Sequence, residues 1–304
     1  VDIVIIGAGA LGAYFGSRFH EGGANVTFLV REGRAKQLKT KGIKVASPKG
    51  DYRIDNPKYV TDVTEISHAD LVLVCVKGYH VQGTINDLKS LTENGAYVLP
   101  ILNGIEHVSM LQDQLGKDSV LGGLSFIIAT LNEDGHVIHS SDFDNLIFGP
   151  LEPTQTTICK ELDELLKKTN ISGNNTDAIL TELWKKYMFI NAFSGITTAT
   201  NLSIGPIRKE AETIRIVDML LHEMQTLAKA YKVKITEEDV EEAKNKLRGL
   251  PDEATSSMHQ DLRKGMTLEV DHLHGGAIRL AKAVGVEMPY TETIYGVIKP
   301  FENA

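Results

Sequence analysis

Four groups of residues in this sequence have types and spacings suited to chemistry. In "VDIVIIGAGALGAYFG", Gly7, Gly9 and Gly12 form G-x-G-x-x-G directly after an apolar run. The run reads as a strand and the residues after it as a helix. In that setting the first glycine makes the tight turn, the second lets backbone approach a pyrophosphate, and the third packs helix close to sheet. Gly7, Gly9, Ala10, Leu11 and Gly12 are therefore candidate dinucleotide-binding residues, with the helix start holding the anion. A purely structural glycine turn is the alternative. The second strand ends "FLVREGR". An NAD site usually carries an acid there, on the ribose 2′-hydroxyl. Arg31 stands in that place, Arg34 follows, and a guanidinium pairs with phosphate, so NADP(H) is the expected cofactor. Glu32, if turned inward, would favour NAD.

The other two groups lie in the second half. Lys186, in "ELWKKYMFINAFSGITTAT", begins the most apolar helical pattern of the chain. A lysine entering such a helix loses hydration and its pKa falls; a carboxylate such as Glu269 would oppose that fall. The spacing equally fits a surface pair between Glu182 and Lys186. Lys185 is expected to face solvent. Ser257 and Glu269 are 12 residues apart and on one ideal helix would point about 120° apart. To share a cleft, either Ser257 caps the helix or the helix bends near Gly265. His272 and His274 form an H-x-H with no third ligand at a telling spacing, so no metal site is expected.

The elements that must carry these residues change character along the chain. "DIVII" (2–6), "NVTFLV" (25–30), "LVLVCV" (71–76), "AYVLPI" (96–101) and "SVLGGLSFII" (119–128) are continuous apolar runs, as in strands buried on both faces. Helical patterns alternate with them near 10–22, 32–41, 80–90 and 105–115, which predicts a parallel, doubly wound α/β sheet. "HVIHSSDFDNLIFGPLE" (136–152) reads as two short antiparallel strands around a polar turn, and 155–170 as an amphipathic helix. The polar "NISGNNTD" (170–177) is the best boundary. Beyond it only helical patterns follow, near 178–200, 208–231, 236–248, 256–285 and 290–299. The domains are thus expected at 1–173, dinucleotide-binding, and 174–304, helical and catalytic.

Composition narrows the classes. With 304 residues, 42% of them hydrophobic, the chain can fill two cores. Its 32 basic and 40 acidic residues leave a net charge of −8, and no basic stripe occurs, so a nucleic-acid partner is not expected. No apolar run approaches the roughly 20 residues of a membrane span, and no secretory leader is expected. Cys75 and Cys159 are the only cysteines and are read as buried thiols of a cytoplasmic protein.

Three further stretches, "VCVKGYH" (74–80), "PILNGIEH" (100–107) and "SSMHQDLRKGMTLEVDHLHGG" (256–276), join the glycine motif and "W-x-K" in one order along the chain. Together they resemble the ketopantoate reductase (2-dehydropantoate 2-reductase) family over essentially the whole length. The resemblance implies a Rossmann-type domain followed by an all-α domain. It implies that Lys186 protonates the ketone oxygen and that Glu269 positions that lysine and the substrate and touches the cofactor. Ser257 would contact substrate, Asn103 would sit near the nicotinamide and reacting carbon, Lys77 would contact the cofactor, and Arg31 its 2′-phosphate. Some members carry asparagines four and eight residues after the lysine. Here those positions are Ile190 and Ser194, with Asn191 one residue late; Asn191 and Ser194 are the substrate-binding candidates there. "HLHGG" also replaces a more usual asparagine near its second histidine, His274.

The expected activity is NADPH-dependent reduction of 2-dehydropantoate to (R)-pantoate for pantothenate and coenzyme A synthesis. A D-2-hydroxyacid dehydrogenase of the same architecture, using NAD, is the alternative, and a non-catalytic dinucleotide sensor a third. The expected partner is a small 2-oxo acid, with a homodimer left open. Lys186 and Glu269 are expected to face Gly9 and Asn103 across a cleft.

Overall fold

The computed structural model describes residues 1–303. The chain forms two compact units, one of residues 1–102 and 108–179, the other of 103–107 and 180–304.

The first unit is built on a parallel sheet in the order β5-β2-β1-β6-β7, with β1 Asp2–Ile6, β2 Asn25–Leu29, β5 Lys58–Val60, β6 Leu71–Val74 and β7 Tyr97–Pro100. Successive side chains of β1 point to opposite faces. Ile3 and Ile5 enter one core with Phe15, Phe19 and Phe28; Val4 and Ile6 enter another with Val72, Val74 and Leu88. Both faces are covered, which is why the strands read as unbroken apolar runs. Helices α1 Ala10–Glu21, α2 Glu32–Lys41, α3 Ile85–Glu93 and α4 Glu106–Leu115 follow strands of this sheet.

A second five-stranded sheet was not legible as such. It contains β3 Ile43–Ala46, β4 Tyr52–Ile54, β8 Gly122–Leu131, β9 Val137–Gly149 and β10 Gly173–Asn175. The segment expected as two short strands, 136–152, is one long strand, β9, antiparallel to β8. The turn lies earlier, at 132–136, where the Asn132 carboxamide oxygen accepts from Asp134 N (3.1 Å) and His136 N (2.9 Å). The polar middle of β9 stays extended because its groups are used: buried Asp144 accepts from Tyr14 Oη at 2.8 Å and from Ser172 N at 3.2 Å. The first unit runs past residue 173, to Ile179, because β10 adds to β9 and Ile179 lies directly over Gly122. Helix α5, Thr156–Leu166, completes it.

The second unit has no strand among its described residues. Its axis is α6, Ile179–Thr200, whose Leu183, Trp184, Tyr187, Met188, Ala192 and Ile196 are buried. Around it stand α7 Ile204–Lys209, α8 Ala211–Ala230, α9 Glu237–Gly249, α10 Ser257–Arg263, α11 Gly276–Val284 and α12 Pro289–Ile298. The stretch 256–285 is not one helix. After α10 the chain turns at Gly265, with φ +64, and re-enters through a π-helical turn, Asp271–Gly275, that runs into α11. No helix among the described residues is long and apolar enough to cross a membrane.

Candidate active site

In the first unit the three glycines sit in different steric surroundings. Gly7 has φ +94, and a Cβ there would lie 2.9 Å from Val76 N. A Cβ on Gly12 would lie 2.2 Å from the Gly7 carbonyl oxygen. At Gly9 the Cβ direction is open. Gly9 is the N-cap of α1; no side chain caps the helix, and no acid occupies its first turn. The helix start thus has no side-chain cap and no acid in its first turn, a setting in which its dipole favours an anion. Ala10 and Leu11, in the first turn, are half-buried.

Arg31 is exposed and N-caps α2, with Glu32 the first residue of that helix. An acid there is favourable to the helix dipole in its own right. Arg34 is committed elsewhere: its guanidinium donates to the Gly135 carbonyl at 2.9 Å and also reaches Gln37. Arg34 is thus engaged within the protein, whereas Arg31 is exposed. Lys77 precedes a 3-10 turn, Gly78–Thr84, that follows β6. Burial, then the Arg31 charge, lowers the His80 imidazole below its ordinary pKa, so Arg31 lies within electrostatic reach of this turn.

In the second unit Lys186 sits on α6 and is only 7% exposed. Burial, then the Lys246 ammonium, pushes its pKa down to about 7, while the Glu269 carboxylate pulls the other way. Glu269 is itself buried. Two bonds set the register that brings these residues together. The Tyr187 hydroxyl donates to the Leu273 carbonyl. His274 Nε2–H donates to the Asn191 carbonyl at 2.9 Å. Gly195 permits this approach, since a Cβ there would lie 2.7 Å from His274 Nε2. Lys185 does not simply face solvent; it pairs with Asp239 at 2.6 Å.

The substrate-side candidates fare unequally. The Asn103 carbonyl accepts from His272 Nε2–H at 2.8 Å. Both ring nitrogens aimed from the H-x-H thus end on backbone carbonyls. Ser257 is the exposed first residue of α10, while the buried cap is Ser256, whose hydroxyl accepts from His259 N and meets Thr197 Oγ1 at 2.8 Å. Ser194 is buried, eight residues after Lys186, and Ile190 is half-buried on the same face. Asn191 is fully buried and its carboxamide has no protein partner; it is turned from the Lys186 face by the fifth-residue spacing.

Two residues escaped the sequence reading. Lys246, in a helix of ordinary charged pattern, places its ammonium 4.6 Å from the Phe189 ring centroid; burial lowers its pKa, and its charge acts on Lys186. His107, at the end of "LNGIEH", is 2% exposed, and burial, then His272 and Lys186, hold its pKa well below that of a free imidazole. Only "H" following the asparagine turn hinted at it.

Residues 3–153 match the family described as ketopantoate reductase PanE/ApbA, and residues 178–302 match its C-terminal part. The chain is 32% identical over 302 residues to the uncharacterized oxidoreductase YkpB of Bacillus subtilis (strain 168), covering 99% of each. A solved 2-dehydropantoate 2-reductase from Geobacter metallireducens GS-15 is 25% identical, covers 99% of both chains and superposes with a TM-score of 0.89. A structure of D-mandelate dehydrogenase with NADH and anilino(oxo)acetate, 21% identical, shares the fold with a TM-score of 0.90, over 100% of this chain and 98% of the other.

Proposed function

This chain belongs to the ketopantoate reductase PanE/ApbA family, and on that premise we propose that it reduces a 2-oxo acid, 2-dehydropantoate first among them, with NADPH. The observation that carries the reading is Lys186, buried beside a carboxylate with its pKa drawn down to about 7. An acid catalyst is most effective when its pKa lies near the working pH.

The nicotinamide, when bound, supplies the hydride to the 2-oxo carbon. As charge gathers on the ketone oxygen, the Lys186 ammonium gives it a proton, and the product is a 2-hydroxy acid. Lys186 then recovers a proton from solvent. Glu269 steadies the ammonium against burial and against Lys246. Gly7, Gly9, Ala10, Leu11 and Gly12 hold the pyrophosphate; Arg31 reads the 2′-phosphate and Lys77 assists. Asn103, Ser257 and Ser194 are the groups proposed for substrate.

A second reading has one observation in its favour. Ile190 stands on the Lys186 face where an amide would suit a polar substrate. A D-2-hydroxyacid dehydrogenase acting on a bulkier, more apolar 2-oxo acid would use that surface. A panel of 2-oxo acids assayed with NADPH and with NADH separates the two. Fastest turnover of 2-dehydropantoate with NADPH upholds the first; faster turnover of bulky apolar acids overturns it in favour of the second. A Lys186→Ala protein that binds NADPH without turnover excludes a sensor.

A further inference from the structure

Helix α9 packs against the first half of α6, and two contacts show how. Lys185 Nζ meets Asp239 Oδ1 at 2.6 Å. One turn on along α6, the Phe189 ring receives the Lys246 ammonium, 4.6 Å from its centroid. Residues four apart share a helix face, and so do residues seven apart, so one face of α6 meets one face of α9 there. Lys186 borders that face. Viewed down α6, Phe189 lies about 60° to one side of Lys186, and Ile190 and Ser194 about 40° and 80° to the other. Helix side chains lean towards the N-terminus, so Phe189 and the ammonium on it cover the turn that carries Lys186. The Lys246 charge accordingly helps to lower the Lys186 pKa. Phe189 is buried beside Phe193, their rings 5.6 Å apart, whereas Lys246 is exposed. A firm aromatic platform thus holds a cation that solutes can reach.

The chemistry of a 2-oxo acid calls for such a cation. The carboxylate is attached to the ketone carbon itself, so the groups that receive carboxylate and ketone must stand side by side. Glu269 already brings a negative charge to Lys186, and a substrate carboxylate adds another. Once Lys186 has given up its proton both negative charges remain, and like charges kept from water repel strongly. Ile190 and Ser194 offer one hydroxyl between them and no charge. We propose that Lys246 is a substrate-contacting residue, its ammonium holding the carboxylate of the 2-oxo acid while the ketone oxygen faces Lys186. This rests on the reading of the site as a 2-oxo acid reductase. An aromatic face steadies an ammonium without neutralising it, and a charge-assisted bond to a carboxylate is roughly twice as strong as a neutral one.

The test compares the intact protein with Lys246→Met, which keeps the packing on Phe189, and Lys246→Arg, which keeps the charge. The substrates are NADPH with the 2-oxo acid that the parent reduces fastest, and NADPH with the uncharged amide of that acid. Lys246→Met is expected to raise KM for the acid tenfold or more and to leave KM for the amide and for NADPH within twofold. The preference for acid over amide should therefore collapse, and Lys246→Arg should keep most of it. If Lys246 only tunes Lys186, acid and amide lose rate equally and KM for the acid holds; that result overturns the proposal. So does a lowered Tm with the ratio of acid to amide unaltered, the mark of a structural role. Should Lys246→Met fail to fold, Lys246→Gln takes its place in the same comparison. A parent that reduces no 2-oxo acid overturns the functional reading itself; an active parent matched by its variants overturns the role of Lys246 alone.

Discussion

Arg279 Nε and one terminal nitrogen meet the two carboxylate oxygens of Glu106 at 2.8 Å each, a bidentate pair that ties α11 to the turn carrying Asn103 and His107. Both partners are partly exposed, so the pair adds little to global stability. Its planar fork does fix orientation. Arg279→Lys is therefore expected to shift Tm by no more than a few degrees while lowering kcat/KM by roughly tenfold, since a lysine cannot make the two parallel bonds. Steady-state kinetics alongside a melting curve check this; a large loss of Tm with unaltered kinetics would mean the pair is structural.

Lys186→Ala is expected to lower kcat by roughly 10²–10⁴, the usual range for a lost general acid, with NADPH affinity little changed. In the parent, reduction should decline as pH rises through about 7, because the donor must be protonated. Lys246→Met removes the like charge that helps lower Lys186, so this limb should move to higher pH. An unmoved limb would assign it to another group. The stability sign is fixed by the same shift. Below about 7 both folded and unfolded chains carry the proton, and the full cost of burying charge is present. From about 7 to 10 only the unfolded lysine keeps it, so this group's contribution to stability rises with pH. Lys186→Met should thus be more favourable, relative to the parent, at pH 6 than at pH 10, as melting curves at the two pH values would show.

Arg31→Ala is expected to weaken NADPH about tenfold or more and NADH little, because only NADPH presents a 2′-phosphate to a guanidinium. Arg34→Ala should instead loosen the Gly135 turn it holds and leave the cofactor ratio unaltered. Binding titrations with both cofactors decide; parallel losses in Arg31→Ala would show that it does not read the phosphate.

Gly9 and Gly12 should answer differently to the same methyl group. Gly9→Ala has open space for its Cβ, so Tm should hold while cofactor affinity falls, as the added group intrudes where a pyrophosphate would lie. Gly12→Ala would set a Cβ 2.2 Å from the Gly7 carbonyl oxygen, and overpacking of this kind costs about 1–3 kcal/mol or more. Full NADPH affinity in Gly9→Ala would place the phosphates elsewhere.

Features that depend on neighbours along the chain can be read directly from the residues. The parallel strands β1, β2, β6 and β7 were legible because burial on both faces leaves unbroken apolar runs, whereas the run 119–128 pairs antiparallel in the second sheet; the glycine turn was legible because positive φ at Gly7 and close approach at Gly12 favour glycine. The helical second half showed its period, and Lys186 stood out at the head of its most apolar helix. Tertiary structure decided whatever depends on partners far away in sequence. β9 runs extended through "HSSDFDN" with its backbone paired to β8 and with Asp144 engaged by Tyr14 and Ser172. The short strands β3, β4 and β5 are too brief to carry a period of their own. Arg34 and Arg31 look alike in sequence and differ because one meets Gly135. Burial among the packed helices, and then the Lys246 charge that α9 brings near, draw the Lys186 pKa down to about 7. Burial and electrostatic fields are sums over the folded neighbourhood, and no local pattern encodes them.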